Sequence, residues 1–109
     1  MKKENIIKKS YEINKIINQK EVYKNKYFYI YKSKNGLNKY RFAICVSKKI
    51  GNAVTRNKVK RQIKDIIDKS KFVFKYLDDY VIIIRKEINN LSYEQIKYNL
   101  EDLLSKILD

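Results

Sequence analysis

The sequence predicts an α+β fold, a small mixed β-sheet packed with helices, in the element order α-β-β-α-β-α. Three observations carry this. Two stretches, 27–31 and 40–47, alternate aromatic or branched residues in the manner of strands. A third run, Tyr80-Val81-Ile82-Ile83-Ile84, is apolar without interruption, as expected of a strand covered on both faces. Two longer stretches, near 52–70 and 92–107, repeat apolar residues at helical spacing. At 109 residues, with no proline and no repeat, the chain 1–109 is expected to form one domain with a modest core.

Residues 1–9 are basic and are expected to be mobile. A short helix is predicted over Ser10 to Asn18, with Ser10 as N-cap and Ile13, Ile16 and Ile17 on one face. Lys20 to Asn25 reads as a polar connection. In the strand that follows, Tyr27, Tyr29 and Tyr31 share one face, and Phe28 and Ile30 the other. Asn35-Gly36 within Ser33 to Lys39 has hairpin chemistry, which makes Tyr40 to Ser47 the expected partner strand. There Phe42, Ile44 and Val46 alternate with the small Ala43, Cys45 and Ser47, and Cys45 is expected to be buried. Phe72-Val73-Phe74 and Tyr76-Leu77 form an apolar connection of open conformation, and Asp78-Asp79 a turn before the third strand. The last helix is marked by a capping box, Ser92 with Gln95, and a staple, Leu91 with Ile96. Its buried stripe is Ile96, Leu100, Leu103, Leu104 and Ile107.

Between the second and third strands lies the most distinctive stretch, Ser47 to Lys64. It carries seven cations (Lys48, Lys49, Arg56, Lys58, Lys60, Arg61, Lys64) and no carboxylate. Gly51 suits a turn at positive φ, and Asn52 is a favoured N-cap for a helix running to about Ser70. Val59, Ile63, Ile66 and Ile67 form its apolar stripe. Lys60, Lys64, Asn57 and Arg61 fan out beside that stripe, with Arg56 at the boundary. An ordinary solvated helix interleaves both signs of charge, and this one does not. One side is therefore expected to pack while a flank meets a polyanion. Asp65 and Asp68, just beyond, are expected to pair with Arg61 and Lys64 at i,i+4.

Composition narrows the function. A net charge of +14 calls for an acidic partner, nucleic acid or a membrane surface. Lys, Ile, Asn and Tyr are abundant throughout, so the clustering of charge says more than its total. No apolar span reaches membrane length, and M-K-K-E-N-I-I-K-K lacks the apolar region of a signal peptide, so a soluble cytoplasmic protein with no membrane partner is expected. With no histidine and one cysteine, zinc sites and histidine-based hydrolysis are excluded. The carboxylates are scattered, so no catalytic residue, metal ligand or small-molecule substrate is expected of the protein itself.

The run Ser47-Lys48-Lys49-Ile50-Gly51-Asn52-Ala53-Val54, followed by Arg56-Asn57-Lys58 and Lys60-Arg61, resembles the signature of the bacterial ribonuclease P protein subunit. Length and element order agree over nearly the whole chain. The resemblance implies a β-α-β crossover of left hand, where general physics predicts a right-handed one. It implies that the partners are a large catalytic RNA and precursor tRNA, and that the RNA performs the endonucleolytic removal of the 5′ leader. Magnesium would then be held chiefly by RNA. By position, Lys48, Lys49, Asn52, Arg56, Asn57, Lys58, Lys60, Arg61 and Lys64 would contact the catalytic RNA. The family commonly has arginine where this chain has Lys58 and Lys64, which keeps charge but not bidentate geometry. Tyr31, with Tyr29 and Tyr27, would line the cleft for the single-stranded leader. Ile13 and Ile17 stand where the family has two phenylalanines, so apolar lining is kept and stacking is lost. Two rival readings remain at this point. A structural RNA-binding protein such as a ribosomal component would need no leader cleft. A DNA-binding domain would need a helix free to enter a groove.

Overall fold

The computed structural model describes residues 1–70 and 77–108. Three helices and a four-stranded mixed sheet make up the fold: α1 (Ser10–Asn18), β1 (Val22–Lys24), β2 (Phe28–Lys34), β3 (Arg41–Val46), α2 (Ala53–Lys69), β4 (Asp78–Ile84) and α3 (Tyr93–Leu108). The apolar connection Phe72-Val73-Phe74 and Tyr76 lies outside the described residues.

The sheet order is β1-β2-β4-β3. β4 is the inner strand, antiparallel to β2 (Ile30 opposite Ile82) and parallel to β3 (Ile44 opposite Ile82). The expected hairpin between the first and second predicted strands, β2 and β3 here, is therefore not formed. The reason is burial: Tyr80, Val81, Ile82 and Ile84 are all at most 2% exposed, and a strand apolar on both faces is most stable in the interior position. β4 separates β2 from β3, and the loop between them spans its end. Asn35 fixes that loop, donating to Lys39 O (3.0 Å) and to Asp79 Oδ1 (2.8 Å) and accepting from Leu37 N–H (2.7 Å). Asp78 and Asp79, expected in a turn, are instead the first residues of β4.

α2 and α3 cover one face of the sheet. Their apolar stripes, Val59, Ile63, Ile66 and Ile67 on one and Ile96, Leu100, Leu103, Leu104 and Ile107 on the other, pack with Phe28, Ile30, Phe42, Tyr80 and Ile82. Full burial of each such side chain stabilises by about 1.5–3 kcal/mol. The caps predicted for these two helices form. Asn52 Oδ1 accepts from Thr55 N–H at 2.9 Å, and Ser92 and Gln95 bond reciprocally at 2.9 and 3.3 Å. Ser10 does not cap α1; it is the first helical residue, and Lys9 occupies the cap position with no side-chain bond.

α1 lies on the opposite face, with Ile16 packed among Ile7, Ala43 and Val81. The basic residues 1–9, expected to be mobile, are placed against the sheet here. Ile6 bridges Phe42, Ile7 N–H donates to Phe42 O (2.8 Å), and Ile7 is 4% exposed. Asn5 adds to this, donating from Nδ2 to Tyr40 O at 2.7 Å. β1 was hidden within the expected polar connection; it is a three-residue edge strand with too little apolar pattern to be read.

Candidate nucleic-acid interface

The Lys48–Ile50 turn and α2 carry the basic cluster. Gly51, at φ 154°, makes the bend between them, and Arg56 Nη1 donates to Gly51 O at 3.1 Å. Lys48, Lys49, Asn52, Asn57, Lys58 and Arg61 are exposed, while Arg56, Lys60 and Lys64 are half-buried. The expected pairing of Asp65 and Asp68 with Arg61 and Lys64 does not occur. Asp65 accepts from Tyr93 Oη (2.6 Å) and from Lys69 Nζ (3.2 Å), and Asp68 accepts from the Met1 amino group (2.5 Å). Both carboxylates turn toward the C-terminal half of α2 and its packing partners. The Tyr93 hydrogen bond, seconded by Lys69, holds the Asp65 carboxyl below its usual range, and the same bond pushes the Tyr93 phenol up to about 12. Among the described residues, Lys58, Lys60, Arg61 and Lys64 make no ion pair with a carboxylate, so their charge is available to a ligand.

The second surface is the α1 face of the sheet. Tyr31, Ile13, Ile17, Cys45 and Ile83 are partly buried around the Ile7–Ile16–Ala43–Val81 cluster. Register explains the grouping: Tyr31 is opposite Val81, and Val81 is beside Ala43; Tyr29 is opposite Ile83, and Ile83 is beside Cys45. Tyr29 lies under the Arg85 guanidinium, 5.0 Å from its ring centroid. Tyr27 does not join Tyr29 and Tyr31. It precedes β2 and packs against the main core, with Lys26 Nζ 5.9 Å from its ring. Cys45 is half-buried rather than buried; loss of solvent raises its thiol pKa, and nearby Lys60 works against that rise.

Arg41 makes a polar link between α1 and the sheet. Arg41 Nη2 donates to Glu12 Oε2 on α1 (3.0 Å) and to Asp79 Oδ2 on β4 (2.7 Å), while Nε donates to Asp79 Oδ1 (2.8 Å). The Asp79 bonds raise the Arg41 pKa further above its already high value, so the guanidinium is a permanent cation. Arg41, Arg85 and Cys45 had no functional reading in the sequence, because the register that groups them with the α1 face of the sheet depends on β4 entering between β2 and β3.

Among the described residues no group of three or more Cys, Asp or Glu is placed to hold a metal ion, and no helix is long and apolar enough to cross a membrane. Fold and surface together define a small basic α+β protein with a cluster of unpaired cations on α2 and a half-buried apolar patch on the sheet face opposite its two long helices. Comparison with known proteins makes this specific. The chain belongs to the ribonuclease P protein family, whose model, described as Ribonuclease P, matches residues 1–108. It is 43% identical to the ribonuclease P protein component of Mesoplasma florum, over 99% of both chains. It is 42% identical to that of Halalkalibacterium halodurans, over 97% of this chain and 90% of the relative. The structure matches that of the Staphylococcus aureus RNase P protein with a TM-score of 0.87 at 32% identity, covering 94% of each chain. It is thus a component of ribonuclease P, the ribonucleoprotein endoribonuclease of tRNA processing.

Proposed function

We propose that this chain binds the catalytic RNA of ribonuclease P through α2 and the single-stranded 5′ leader of precursor tRNA through the Tyr31 face. The observation that carries the reading is the diversion of Asp65 and Asp68 to Tyr93, Lys69 and Met1. It leaves Lys58, Lys60, Arg61 and Lys64 unneutralised on a helix whose other side is fixed in the core. Lys48, Lys49, Asn52, Arg56 and Asn57 extend the same surface. Guanidinium forks and ammonium groups there bind phosphate, and Asn57 reaches phosphate oxygens or base edges. Tyr31, flanked by Tyr29, Ile13 and Ile17, offers unpaired bases a ring and an apolar wall.

Strand cleavage is assigned to the RNA partner, with magnesium held by RNA phosphates in the cytoplasm. The protein's part is electrostatic and positional: it offsets phosphate repulsion, holds the leader, and so favours metal occupancy at the cleavage site. Reconstitution with a bacterial ribonuclease P RNA at limiting magnesium tests this. The protein should lower the magnesium needed for accurate 5′ maturation. A chain that binds RNA but leaves that requirement unchanged would be a structural RNA-binding protein instead.

A further inference from the structure

In the helical layer, on the far side of the sheet from α1, the first turns of α2, the short 3-10 helix Lys86–Asn90 and the start of α3 enclose a notch of about 170 Å³. Val59, Ile88, Leu91 and Ile96 make its floor, and Val59, Ile88 and Ile96 are buried. Thr55 and Gln62, seven residues apart and so on one face of α2, form one wall, and Asn89 stands across from them. Lys58 is exposed at the rim, and no described carboxylate lines the notch. Its polar groups exceed what the fold uses. Asn89 Nδ2 donates to Ile50 O (2.8 Å), which fixes that amide and leaves its Oδ1 as an acceptor without a partner among the described residues. The Thr55 hydroxyl and the half-buried Gln62 amide make no hydrogen bond among the described residues either. The neighbouring cap is closed on itself, Ser92 with Gln95, so it does not occupy them.

We propose that this notch receives one unpaired nucleobase of the catalytic RNA and reads it by hydrogen bonds to Gln62, Asn89 and Thr55. The assignment rests on the catalytic-RNA reading above and adds sequence recognition to what is otherwise a contact of charge with phosphate. A phosphate suits the notch poorly, because its walls are neutral and its floor is apolar. A side-chain amide offers a donor beside an acceptor, as the edge of a base does, and a base must be unpaired to reach in. Position supports RNA as the source: Lys58 at the rim continues into Asn57 and Arg61 on the same helix, where phosphates on either side of the base would lie. Gln62 holds nothing in the described fold, so its role is separable from stability.

The test compares the unmutated protein with Gln62→Met, which keeps the length of the side chain and removes its donor and acceptor. Each is titrated against a bacterial ribonuclease P RNA over a range of salt. Affinity should fall about tenfold, in the lower part of the range for one bidentate amide–base contact. The slope of log affinity against log salt should not move, because no charge is lost, whereas Lys58→Ala should reduce it by about 0.7–0.9. The bound RNA is then modified with dimethyl sulfate and with a carbodiimide at saturating protein. One unpaired nucleotide should be protected by the unmutated protein and reactive again with Gln62→Met, with all other protections kept and the two proteins melting at the same temperature. An unchanged affinity would overturn the notch as a base site and leave it to a protein segment. A fall in affinity with no single nucleotide regaining reactivity, a shallower salt slope for Gln62→Met, or a lower melting temperature would overturn it too, since each makes Gln62 a support for the basic surface instead. If Arg61→Ala still weakens RNA binding in any of these cases, only the notch is refuted. If Arg61→Ala leaves RNA binding unchanged, the catalytic-RNA reading falls and the notch with it.

Discussion

Arg41→Met is expected to cost about 3–5 kcal/mol of stability, the range for stranding one member of a buried ion pair. The structure sets the magnitude. The Asp79 side chain is 7% exposed, and among the described residues Arg41 donates two hydrogen bonds to it and Asn35 Nδ2 one. Glu12, at 28% exposed, can recover water instead, so Glu12→Gln should cost about 1 kcal/mol or less. Asp79→Asn added to Arg41→Met removes the stranded charge, and the double variant should be more stable than the sum of the singles requires, by about 0.5–3 kcal/mol. Urea unfolding of the four proteins closes the cycle, with an unchanged m-value showing that the same two states are compared. If Arg41→Met costs no more than Glu12→Gln, Asp79 is not a buried charge, and the account of what holds α1 on the sheet is wrong.

Along α2, Ile63→Ala should cost about 2–5 kcal/mol, because the side chain is fully buried. Arg61→Ala should leave the melting temperature almost unchanged and weaken RNA binding with a shallower salt dependence; thermal melts and binding titrations separate the two. Tyr31→Ala should weaken holoenzyme binding of precursor tRNA by about 1–3 kcal/mol and leave mature tRNA unaffected, and leader truncation should not add to that loss. In a difference titration against Tyr93→Phe, the Tyr93 phenol should ionise near pH 12, and Asp65→Asn should bring it down toward 10. Its folded pKa is the raised one, so the stability it adds is complete below pH 10 and is lost as pH rises from 10 through 12.

Helices were the most legible part of the chain, because their signals are local. Asn52, Ser92 with Gln95, and the two isoleucine and leucine stripes act within a few residues of themselves. Strand pairing was not legible. Asn35-Gly36 has hairpin chemistry, but the competitor that displaced the hairpin, Tyr80 to Ile84, lies more than forty residues downstream. That one misplacement spread to the candidate site. It hid the placement of Arg41, Arg85 and Cys45, and left Asp79 as a turn residue. The membership of the basic surface was readable from charge clustering. The freedom of its cations was not, since it depends on Tyr93 and Met1 reaching Asp65 and Asp68 across the fold.

The inner position of β4 has a consequence for how the chain is made. Register pairs β4 with residues 44 to 56 positions earlier, from Lys34 opposite Asp78 to Phe28 opposite Ile84. A ribosome adding about 5–20 residues per second needs roughly 2–6 s to travel from the end of β3 to the start of β4. Throughout that interval β2 and β3 exist without the strand that joins them, and α2 emerges before the sheet it packs on is closed. Folding of this small protein is therefore confined to the last part of its synthesis, and until then its positive charge travels on an open chain.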